Sequence, residues 1–231
     1  MSWTFVNSNG ASGAGALATI PVTVTGCHAG DIAFIVAKHE GTASTTPTLS
    51  DAVGGTYSIV ITEQGVSSAE PWMSAFWGTV GATGSVTFTV TFSATKTFRD
   101  IGVIVYTPPV GATISLDGTP VSQGHAAATA VTSGNITTAG TDGIAVGLYG
   151  SFGDDITSML INGGAADHTQ KASANNSAIW TRAYSSGFTG AATGTTGGGN
   201  TWDAGAFALK AVVAAGSGKR GSNLLLGGVG S

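Results

Sequence analysis

Few residues in this 231-residue chain have the type and spacing to do chemistry. Ser93-Ala-Thr-Lys96 fits S-x-x-K, a pattern in which a helix sets the lysine beside a nucleophilic serine. Here it follows the alternating run Val86–Phe92 and reads as a turn, with no S-D-N or K-T-G companion, so no acyl transfer is expected. Gly216-Ser-Gly-Lys-Arg220 is not a phosphate loop, because Val213 stands where the first glycine belongs and Arg220 where Ser or Thr belongs. G-x-S-x-G and H-E-x-x-H are absent. His28, His39, His125 and His168 are scattered without metal-ligand spacing. Cys27 beside His28 suggests either a thiolate pair or a small core residue, and as the only cysteine it forms no disulfide within the chain. His39-Glu40 follows an apolar run and is expected to begin a solvated loop.

Two acidic features and the tryptophans carry what remains. Asp51, in Ser50-Asp-Ala-Val-Gly-Gly-Thr-Tyr57, suits a turn capped through its own backbone. Asp154-Asp155 after Gly153 suits a structural turn, with Ca²⁺ held by carboxylates and backbone carbonyls as the alternative, although the ligand density of a calcium loop is missing. No cofactor or resident metal is expected. Exposed tryptophans can stack on sugars, so Trp72, Trp180 and Trp202, together with Asp154 and Asp155, form a candidate ligand platform. The competing reading places the tryptophans in the core or at a subunit interface. Trp72 and Trp77 lie an odd number of residues apart, so a regular strand puts them on opposite faces.

The elements that must position these residues are strands. Ile20–Val24 and Val86–Phe92 alternate apolar and polar, with Thr on the outer positions, as in a sheet with one buried and one wet face. Ile32–Ala37, Ile101–Tyr106, Ile144–Tyr149 and Ala206–Leu209 are continuously apolar and read as central strands covered on both faces. Gly54-Gly55, Gly81–Gly84, Pro108-Pro109, Asp117-Gly118, Asp142-Gly143, Gly163-Gly164 and Gly197–Asn200 punctuate the runs. No helical stripe of useful length is visible. The expected fold is all-β, an antiparallel β-sandwich of jelly-roll or Ig-like type, in one domain spanning 1–213. A split near 108–120 is the alternative, and no repeat of fixed period shows in the sequence.

Composition excludes several classes. Gly, Ala, Thr and Ser make up more than half of the chain, and charged residues only 9%. That argues against disorder, a helical bundle and collagen. With Lys+Arg at 8 and a net charge of −4, no nucleic-acid partner is expected. No run approaches a membrane span and no signal peptide is visible, so a soluble protein made in the cytoplasm is expected. Residues 214–231 differ from the rest. A Gly/Ser-rich linker leads to Leu224, Leu225, Leu226 and Val229, an apolar cluster that predicts a flexible tail docking on its own domain or on a neighbour.

The run Gly30-Asp31, Leu49-Ser-Asp51 with its glycine pair and Thr56-Tyr57 continues through Trp77, Gly84–Val90 and Val103–Tyr106. It ends with Asp142–Val146, Thr201-Trp202 and Ala206–Lys210. Over roughly residues 30–210 this resembles β-sandwich proteins of tailed-bacteriophage virions and of some bacterial surfaces. The resemblance implies a non-enzymatic structural component of the virion, assembled in the host cytoplasm. It would be a capsid decoration (cement) protein, or a tail or fibre component. The partners it implies are the major capsid protein or other virion proteins, in a homo-oligomer with a trimer favoured. A carbohydrate-binding module is the alternative function.

Overall fold

The computed structural model describes residues 2–40, 46–64, 71–125, 128–172 and 176–213. Sixteen strands cover most of them: β1 (Thr4–Cys27), β2 (Ile32–Glu40), β3 (Thr48–Asp51), β4 (Thr56–Gln64), β5 (Pro71–Thr79), β6 (Gly84–Thr107), β7 (Ala112–Leu116), β8 (Val121–His125), β9 (Ala130–Thr137), β10 (Gly143–Ser151), β11 (Ile156–Ile161), β12 (Gly164–Ala165), β13 (His168–Lys171), β14 (Ser177–Tyr184), β15 (Thr189–Thr196) and β16 (Trp202–Val213). Among the described residues there is no helix, so none is long and apolar enough to cross a membrane. The pairings are antiparallel, and the all-β sandwich architecture is as the sequence predicts.

The first sheet runs β1-β6-β2-β5-β4 and the second β7-β16-β10-β14-β13, with β8 also on β16. β1 and β6 pair over their whole lengths as one bent ribbon, from Thr4↔Thr107 to Cys27↔Gly84. Past the bend, the far halves of β1 and β6, with β3 on β6, fold back over the outer face of the first sheet. Ile20, Val22, Val24, Val86, Phe88, Val90 and Phe92 thereby pack on Ile35, Phe76, Ile101 and Val103. The third sheet, β9-β15-β11-β12, covers the outer face of the second sheet in the same way. Between the two main sheets lies a shared core of Phe34, Val36, Met73, Ile104, Val146, Leu148, Ile179 and Phe207. The molecule is thus four layers deep with three apolar interlayers. That is why β2 and β10 are buried at nearly every position: each faces a core on both sides.

The two halves repeat one strand order. β1, β2, β4, β5 and β6 in the first correspond to β7/β8, β10, β13, β14 and β16 in the second. The covering layers correspond likewise, β1-β6-β3 to β9-β15-β11. In each half a main sheet is covered on its outer face by a smaller layer, as in a β-sandwich. The seam falls at Pro108–Gly111, where the proline cluster marked the alternative split, but the shared core joins the halves into one body.

Candidate functional surfaces

Aspartates clip the turns. Asp51 Oδ1 accepts from the Gly55 amide at 2.7 Å and the Val53 amide at 3.3 Å, and Oδ2 accepts from the Tyr57 hydroxyl at 2.6 Å and the Gly81 amide at 3.3 Å. The backbone cap expected at Asp51 is present and extends to a second turn. Burial works against the charge, but these donors outweigh it and hold the carboxyl below its ordinary range. Burial and the same carboxylate push the Tyr57 phenol up. In the second half, Asp117 Oδ2 accepts from the Tyr184 hydroxyl at 2.7 Å and the Gly140 amide at 2.7 Å, with Lys210 Nζ 3.4 Å from Oδ1. Its carboxyl is also held low against the effect of burial.

The tryptophan platform is not present. Trp180 and Trp202 are fully buried in the core between the second and third sheets. Their indole N–H groups donate to the Leu160 carbonyl at 3.2 Å and the Ala128 carbonyl at 2.9 Å. Trp72 is buried too, on another layer, stacked on His39 at 6.1 Å. None of the three offers a ring face to a sugar, because each has been used to fill a core between Ala- and Gly-rich strands. Trp77 lies on the opposite face of β5 from Trp72, as the odd spacing requires, and packs half-buried on the shared core. Asp154 and Asp155 serve turns. Asp154 Oδ2 accepts from the Asn200 amide at 3.0 Å, while Asp155 accepts from the Ile156 amide at 2.9 Å and pairs with Lys171 at 2.9 Å. Among the described residues no group of three or more His, Cys, Asp or Glu is placed to hold a metal.

Other expectations change as well. Ser93–Lys96 is not a turn; it stays within β6, where alternation exposes Ser93 and buries Lys96. Cys27 is a core residue whose thiol burial pushes up, while the exposed His28 ring lies 3.5 Å from Asp31. His39-Glu40 does not begin a loop but completes β2, and His39 is buried against Trp72 and Phe92. Burial, then Lys96 and Lys38, lower its pKa to about 4. Around it, at one end of the first sheet, Lys38, Arg99 and Asp100 are buried, and Asp203 is buried at the matching end of the second. Sequence reading missed this charged end. The available signal was that Lys38 and Asp100 each continue the period-2 inward face of an apolar strand.

The outermost faces are of a different character. On the first, Thr19, Pro21, Thr23 and Thr25 of β1 lie beside Ser85, Thr87, Thr89 and Thr91 of β6, with Thr48 and Ser50 of β3. On the other, Thr132, Asn135 and Thr137 lie beside Thr189, Ala191, Thr193 and Thr195, with Thr157 beyond. Hydroxyls meet across strands at Thr23–Thr87 (2.8 Å) and Thr137–Thr189 (3.0 Å). Among the described residues, neither face carries an ionisable side chain. A cleft of about 200 Å³ lies beside Tyr184, lined also by Asn162, Arg182 and Phe188, and a shallower one on its other side includes Trp3 and Asp142. The candidate tail residues Leu224, Leu225, Leu226 and Val229 lie outside the described residues.

No protein-family model matches the chain, and neither a curated protein nor a solved structure shows significant similarity to it.

Proposed function

We propose that this protein is a structural component of a tailed-phage virion, a capsid decoration protein that acts without catalysis. The observation that carries this reading is the pair of uncharged, hydroxyl-lined sheet faces on opposite sides of a four-layer β-sandwich stack. The centre of a protein interface is depleted of charge. A face of short β-branched residues also loses little side-chain entropy when covered. Jelly rolls, one form of β-sandwich, recur in viral capsids, which supports the same reading by analogy of fold. The faces would seat against capsid subunits, or against further copies of this chain in an oligomer, while residues 214–231 add an apolar anchor.

The test is cosedimentation with purified capsids of the parent phage. Wild type should bind, and Thr23→Lys with Thr87→Lys should abolish binding without loss of the fold. Deletion of 214–231 should weaken it and reduce the oligomer seen by light scattering. Wild-type protein that never associates with capsids would overturn the proposal. The carbohydrate-binding reading rests on the clefts flanking Tyr184, and it gains if glycan binding is found and is lost in Arg182→Ala.

A further inference from the structure

Lys38 on β2 and Asp100 on β6 stand directly opposite each other in register, and both side chains are 0% exposed. Both point into the shared core between the main sheets, because Lys38 continues the face of Phe34 and Val36, and Asp100 that of Ile104. Lys38 Nζ lies 3.8 Å from Asp100 Oδ2 and 3.0 Å from Oε1 of Glu40, two residues along the same face. The lysine stem runs over Gly150 of β10, where an added Cβ would come within 3.2 Å of the Lys38 Cγ. Met73, its register partner on β5, is also fully buried.

The repeat sharpens this arrangement. By layer and register, Gly150↔Asp203 in the second half is the counterpart of Lys38↔Asp100 in the first. One lysine has thus been placed where its counterpart is a glycine, and that glycine leaves room for it. Lysine is almost never fully buried unless paired, and a buried ion pair costs more to desolvate than its attraction often returns. A covalent bond between the two would remove both charges.

We infer that Lys38 and Asp100 are joined by an intramolecular isopeptide bond whose formation Glu40 assists. A proton passes from the Lys38 ammonium by way of Glu40 to an Asp100 oxygen, leaving an amine and a carboxylic acid. The Nζ lone pair adds to Asp100 Cγ, forming the C–N bond. Glu40 then carries a second proton from nitrogen to the departing hydroxyl, the C–O bond breaks, and water leaves. Ammonium and carboxylate become one amide and one water, with no oxidant or co-reactant. Three features favour the step: cross-strand pairing fixes the reactants, Glu40 is within proton-transfer reach, and exclusion of bulk water opposes the reverse reaction. This inference stands on the geometry of the cluster and does not depend on the virion reading.

The experiment is mass spectrometry of the purified full-length chain, intact and after proteolysis. The expected result is a mass one water below that of the sequence, and a branched peptide joining the Lys38 and Asp100 segments. Lys38→Arg and Asp100→Ala should restore the full mass, and Glu40→Gln should leave the protein folded by circular dichroism but largely unlinked. Asp100→Asn should give the wild-type product mass, because ammonia then leaves instead of water. Wild type at full mass with trypsin cleaving after Lys38 would overturn the inference. So would a branched peptide joining Lys38 to Asp203. Both of these outcomes are read on the wild-type chain, so they count even if no variant folds.

Discussion

The two halves solve one problem in two ways. In each, the chain must pass from a main sheet to its covering layer. The first half does so without interrupting its strands, since β1 and β6 bend together through register shifts between Ala14 and Thr19. Arg99 fills the inside of that bend, its guanidinium donating to the carbonyls of Thr19 and Gly15. Gly13 leaves the room, as a Cβ there would lie 2.7 Å from the Arg99 Nη2. The second half breaks its strands instead. β15 and β16 are separated by Gly197–Asn200, where Asp154 accepts from the Asn200 amide and any side chain at Gly198 would strike its carboxylate. The same route is held by a buried cation in one half and by a surface aspartate in the other, so a repeated topology need leave no repeated sequence.

The largest effect should come from Arg99→Met. It removes two charge-assisted hydrogen bonds from a buried guanidinium to the bend carbonyls, at about 1.5–3 kcal/mol each, so a loss of about 4 kcal/mol is expected in urea unfolding. An effect no larger than that of Asp154→Ala, expected near 1 kcal/mol, would break the contrast between the halves.

His39 should come next. Its folded pKa of about 4 lies below the unfolded value of 6.5. Between those values the unfolded state binds more protons, so stability falls as pH drops from 6.5 to 4, by about 3 kcal/mol. His39→Gln should flatten that part of the pH–stability curve, and an unchanged slope would exclude His39 as its source.

The aspartate clips are the feature the halves share, so Asp51→Asn and Asp117→Asn should cost alike, about 2 kcal/mol each. Their carboxyls are held low in the folded state. That stability is therefore complete above the unfolded carboxylate range and is lost as pH falls through the depressed folded values, below the His39 window. Smallest of all, Thr87→Lys and Thr195→Lys on the outer faces should each change stability by no more than about 0.5 kcal/mol, as solvated positions do.

Much of the architecture was legible because apolar spacing is a direct record of burial. Continuous runs at Ile32–Ala37 and Ile144–Tyr149 announced strands with a core on each side, and Val86–Phe92 announced one with a wet face. β15, with its Thr-Gly-Ala-Ala-Thr-Gly-Thr-Thr sequence, gave no such signal, and neither did β8 nor the Asn7–Gly15 stretch of β1. Small residues fit a strand crowded by a neighbouring layer, but equally fit a turn. The site was less legible than the fold. Trp180 and Trp202 have the chemistry to stack on a ligand, and only packing shows that their rings are enclosed. The Lys38 cluster was hidden for the opposite reason, since Lys38 and Asp100 lie far apart in sequence and meet only through strand register.

The Thr4↔Thr107 pairing has a consequence during synthesis. β1 is made first and its partner β6 last within the first half, so the N-terminal strand waits for its partner. At a ribosomal rate of about 5–20 residues per second, that wait is on the order of 5–20 seconds. Over that interval the polar, glycine-rich Asn7–Gly15 stretch offers little for other nascent chains to stick to. The weak strand signal that hides this segment from sequence reading is thus what lets it remain safely unpaired until β6 emerges and the first half closes.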